Sequence, residues 1–117
     1  MSTRLSLDDV GGVDLAPQAV VRMSPHGLAR RLGIAFERDT DDLDSHSAAY
    51  FRAPDQVFAF MRYDGEPEDN LTLYLERRLS PEEVSRSVDA IAREFDIPAD
   101  RIIWRETADL RRAAARA

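Results

Sequence analysis

The densest run of chemically capable side chains is Asp39-Thr-Asp-Asp-Leu-Asp-Ser-His46, which gathers Asp39, Asp41, Asp42, Asp44 and His46. Carboxylate oxygens at alternate positions of a loop can wrap a hard cation. The EF-hand form of that arrangement needs an acid or amide at its fifth position, a glycine at its sixth and a glutamate at its twelfth. Those positions hold Leu43, Asp44 and Tyr50 here, so the template fails and a solvated acidic loop is the expectation. We expect no metal and no cofactor from the sequence.

His46 has Asp44, Ser45 and Ser47 as chain neighbours. A Ser–His–Asp triad is assembled by geometry from separated segments, so this adjacency carries no catalytic weight. The chain also has no G-x-S-x-G elbow. His26 falls in the first turn of a predicted helix, where the helix dipole disfavours its protonated form. His26, His46 and Arg62 are the candidate polar groups if a ligand pocket exists. No catalytic residue is assigned.

Composition removes further chemistry. The chain has no cysteine, which excludes disulfides, thiolate nucleophiles and zinc-finger or iron–sulfur ligation. It also has no lysine: all 16 basic residues are arginine. A Schiff-base lysine and a Walker A loop are therefore excluded. Arginine-only usage is the ordinary mark of a GC-rich coding sequence, pointing to a bacterial source.

The formal net charge is −6, and it is unevenly placed. Residues 37–70 hold ten acids and three arginines, whereas residues 101–117 hold five arginines and two acids. The first region would repel a phosphate backbone and steer in a basic partner. Tyr50, Phe58, Phe60 and Tyr74 could suggest base stacking, but stacking platforms need basic surroundings and these loops are acidic. No nucleic-acid partner is expected. Trp104, between Arg101 and Arg105, has the composition of an interface hot spot, though a large aromatic more often fills a core.

At 117 residues the chain suits one domain, spanning 1–117. No apolar run reaches membrane-spanning length. The N-terminus lacks the apolar stretch of a secretory signal, so the expected location is the cytoplasm, with no membrane partner.

Several elements must position these residues. Residues 1–14 read as irregular, with Asp8, Asp9, Gly11 and Gly12 as breakers. Residues 18–23 are strand or helical turn, and the window is too short to decide. Ser24-Pro25 starts a helix that Gly33 stops, and 34–36 reads as a short strand. Residues 37–47 read as an acidic connection. Strands follow near 48–52, 57–63 and 71–77. In the second of these, Val57, Ala59, Met61 and Tyr63 share one face, and Phe58 and Phe60 the other. A strand apolar on both faces must be covered on both sides. Ser80-Pro-Glu-Glu83 is a capping box opening a helix over 81–95, with Val84, Val88, Ile91 and Phe95 as its buried stripe. A closing strand at 101–105 should run parallel to 71–76. The tail from 107 reads as weakly helical.

The fold expected is a two-layer α+β domain. A mixed, mostly antiparallel sheet of about four strands carries the 81–95 helix on one face. The N-terminal helical segment covers part of the other face, the one with Phe58 and Phe60; if it does not, that face is a homodimer or partner interface. The function expected is non-catalytic protein binding, in its most concrete form an acidic inhibitor or immunity-type protein that neutralises a basic partner such as a nuclease toxin. Immunity proteins are similar to it only in size, charge and α+β pattern. The partner surface would be Asp39, Asp41, Asp42, Asp44, Glu66, Glu68, Asp69 and Trp104. The alternative is a small-ligand-binding or enzymatic domain with its pocket between helix and sheet.

Overall fold

The computed structural model describes residues 2–40 and 44–105. Among these residues seven strands form one sheet: β1 (Thr3–Leu5), β2 (Leu15–Arg22), β3 (Glu37–Thr40), β4 (Ser45–Ala53), β5 (Gln56–Tyr63), β6 (Asn70–Glu76) and β7 (Ile102–Arg105), and two α-helices pack with it, α1 (Pro25–Leu32) and α2 (Pro81–Glu94). The class is α+β, as the sequence indicates, but the sheet is larger than four strands. All its pairings are antiparallel, in the order β1-β4-β5-β6-β2-β7. β1 and β3 share the outer edge of β4 end to end, β1 beside Tyr50–Arg52 and β3 beside Ser45–Ala48.

The added strands are those with the weakest sequence signal. β2 resolves the ambiguous 18–23 window as strand and begins earlier, at Leu15. It contains Pro17 and is irregular between Pro17 and Ala19. Proline lacks an N–H, so it is tolerated in a strand only at edges and bulges. β7 pairs only with Ala19–Val21, so Pro17 lies beyond that second neighbour. β3 turns half of the expected acidic connection into a hairpin arm, and residues 34–36 are not strand. The N-terminal stretch read as irregular forms β1 and a 3₁₀ turn over Leu7–Val10.

β7 does run in the same direction as β6, but the two do not pair. β2 lies between them and is antiparallel to both. The strand–helix–strand unit is therefore split by an earlier strand.

Local signals explain the helices. Ser24 Oγ accepts from the Gly27 N–H, and Gly33 ends α1 with φ 67°, a left-handed conformation natural to glycine. In α2 the Glu83 N–H donates to Ser80 Oγ at 3.2 Å, and the Ser80 N–H donates back to Glu83 Oε1 at 3.0 Å. α2 ends at Glu94, ahead of Pro98, and Asp96 takes φ 55° just beyond.

Both helices lie on the Phe58/Phe60 face. Leu28 of α1 and Val84, Val88 and Ile91 of α2 join Phe51, Phe58, Phe60, Leu71, Leu73 and Leu75 in one core. Phe95 stands at the centre, its ring 5.0 Å from Phe51, 5.3 Å from Phe60 and 5.9 Å from Phe58. The expectation that the two helices take opposite faces is thus corrected. The second face, with Val57 and Ala59, is covered instead by chain 5–13: Val10 is buried there, with Leu5, Leu7 and Val13 packed around it. Alternation along a strand shows that both faces need cover, but not which element supplies it.

Candidate functional site: the acidic end of the sheet

The end of β3, the start of β4, the end of β5 and the start of β6 all lie at one end of the sheet. Antiparallel pairing forces this, and it brings together two acidic loops that are distant in sequence. The Asp64 N–H donates to the Ser45 carbonyl at 3.0 Å, tying the β5–β6 loop to the β3–β4 hairpin. Arg38 of β3 makes a forked pair with Asp64, both contacts at 2.7 Å, and also donates to Ser47 Oγ at 2.8 Å. The Asp64 carboxyl is held below its ordinary range mainly by that Arg38 hydrogen bond, and the Arg38 guanidinium is raised in turn. Gly65 faces Asp44: a methyl group on its α-carbon would stand 3.8 Å from Asp44 Oδ2.

Arg62 holds the β5–β6 loop from beneath. Its guanidinium donates to the carbonyls of Pro67 at 3.0 Å and of Glu66 at 2.5 Å. The side chain treated as a candidate ligand group is therefore engaged with its own loop. Those donors go to main-chain carbonyls rather than to the loop's carboxylates.

Of the expected partner-binding residues, Asp39, Asp44, Glu66, Glu68 and Asp69 gather at this end. Asp39 and Asp44 each accept from the following N–H at 2.8 Å, which fixes the carboxylates at the hairpin. Glu68 and Asp69 are exposed. Asp41 and Asp42 lie outside the described residues. Trp104 does not join them. It sits half-buried on β7, paired with Val20, with β6 and β2 between it and β5. The tail from 107 lies outside the described residues.

The candidate ligand groups are not brought into one pocket. His26 is exposed on α1. His46 is buried at the start of β4, its ring 5.1 Å from that of Tyr63. Among the described residues no three His, Asp or Glu side chains gather to hold a metal ion. No described helix is long and apolar enough to cross a membrane. Between α2 and the sheet the four phenylalanine rings pack the centre, and beside them a cleft of about 350 Å³ opens between α2 and the β4–β5 turn, lined by Gln56, Glu83, Ser87 and Glu94 but by none of His26, His46 and Arg62.

Sequence reasoning missed Arg38 and Asp64 as the clasp between the loops. Each reads as an isolated surface charge, and only the β3–β4 and β4–β5 registers together make them partners. Fold and geometry together define an α+β domain with a large antiparallel sheet and one strongly acidic end. No family model, no curated protein and no solved structure matches the chain.

Proposed function

We propose that the protein is a non-catalytic binding domain that engages a basic protein through the acidic end of its sheet. The observation that carries this reading is the union of two acidic loops, distant in sequence, by the Asp64–Ser45 backbone bond and the Arg38–Asp64 fork. Among the described residues six carboxylates (Asp39, Asp44, Asp64, Glu66, Glu68, Asp69) lie on the β3–β6 part of that end, with Arg38 and Arg62 between them. A focused charge of one sign accelerates encounter with an oppositely charged partner and fixes its orientation. In its most concrete form the partner is a basic enzyme such as a nuclease toxin. The carboxylates then occupy the positions of substrate phosphates and block access, as an inhibitor or immunity-type protein does.

The test begins with affinity capture from native lysate, followed by stopped-flow association of the captured protein with wild type and with an Asp44→Arg/Glu68→Arg/Asp69→Arg variant. The captured protein should be basic. The variant should associate about 10- to 100-fold more slowly, and salt should erase much of that difference. An association rate equal to wild type at low salt overturns the reading.

A further inference from the structure

The same end of the sheet continues past β6 to β2 and β7, and there its charge changes sign. Arg22 closes β2, Arg31 lies in the last turn of α1, and Arg101 precedes β7. All three line a cleft of about 390 Å³ together with Ser24, Gly27 and Asp69. Three separate elements thus each place an arginine on the wall of one space, in a chain whose net charge is −6.

Among the described residues none of these arginines forms an ion pair with a carboxylate. Arg31 donates to the main-chain carbonyls of Phe95 at 3.1 Å and Asp96 at 3.0 Å. Arg101 donates to the Arg22 carbonyl at 3.5 Å. Arg22 has no ion-pair partner among the described residues. A guanidinium oriented by neutral carbonyls keeps its charge, and each has five N–H donors, so most remain to be used. The lining has one carboxylate, Asp69, against three guanidiniums. The first turn of α1, which opens on the same cleft, has no acidic residue.

We infer that this cleft is an anion-binding site for a small oxyanion, a phosphate or a carboxylate group. The donors present are those that recognise such groups with forked hydrogen bonds. This inference does not rest on the proposed function, because the ligand has the opposite charge and is met by Arg22, Arg31 and Arg101, none of which belongs to the acidic surface.

The experiment is an NMR titration of the full chain with inorganic phosphate, with acetate, and with chloride at matched ionic strength. Phosphate or acetate should give saturable shifts of the Gly27, Asn70 and Arg101 amides; which of them does so identifies the preferred oxyanion. An Arg22→Ala/Arg101→Ala variant should bind at least about tenfold more weakly, as the loss of charge-assisted hydrogen bonds requires. Both side chains are exposed, so the fold should stand, and its amide spectrum checks that. Asp69→Asn should bind the oxyanion several-fold more tightly, since it removes the competing carboxylate, whereas the proposed function expects the same change to weaken a basic partner's association. Shifts that chloride reproduces, or affinities that neither variant alters, overturn the site.

Discussion

Phe58 and Phe60 are fully buried, and neither can be read as a stacking surface. They meet Phe51 and Phe95 in a closed set of edge and stacked contacts, where ring geometry adds to the burial of apolar area. Removing one ring leaves a cavity that three rigid neighbours cannot readily fill. Phe58→Ala should therefore cost about 3–5 kcal/mol of unfolding free energy. Ile103, 44% exposed on β7, is the contrast, and Ile103→Ala should change stability by no more than about 0.5 kcal/mol. Urea denaturation of both variants measures the difference. A Phe58→Ala cost below that of Ile103→Ala would mean that the ring cluster is not the centre of the core.

At the level of elements, legibility followed the locality of the signal. α2 announces itself in four consecutive residues, Ser80 to Glu83, and the capping box forms as the spacing predicts. The Glu83 carboxyl is held low chiefly by the Ser80 backbone N–H. Ser80→Ala should cost about 1 kcal/mol, measured by denaturant unfolding, and an unchanged midpoint would show that the box adds nothing to packing. β5 and β6 were equally legible, β5 as an unbroken apolar run from Val57 to Met61 and β6 by its clean alternation. β3 was not. Glu37-Arg-Asp-Thr40 buries little, and it becomes a strand only because β4 offers it an edge. β2 is short on signal for a different reason: Pro17 and the irregularity beside it break the alternation that would mark a strand. The acidic end was half legible. Its charges are visible in the sequence, but the contact between its loops comes from sheet register, and the arginine cleft comes from three elements that no local pattern connects.

Across the whole molecule, acid should weaken the fold and the acidic end together. The Asp64 carboxyl is depressed mainly by the Arg38 hydrogen bond, Glu83 by the Ser80 N–H and Asp9 by the Ser6 N–H. In each case the folded chain binds the proton more weakly than the unfolded chain does. The stabilisation is therefore complete above the unfolded carboxylate range, near about pH 4, and is lost as pH falls through the lower folded values. Of the three groups only Asp64 joins the two acidic loops, so its protonation both loosens the clasp and lowers the charge that would steer a basic partner. Asp64→Asn should make the unfolding midpoint less sensitive to pH below about 4, while leaving the Asp9 and Glu83 contributions in place. Urea midpoints of wild type and Asp64→Asn, measured from neutral pH down through the carboxylate range, make the comparison. Parallel profiles across that range would show that the Arg38–Asp64 fork does not couple the loops to folding, and the acidic end would then be two independent loops sharing one side of a sheet.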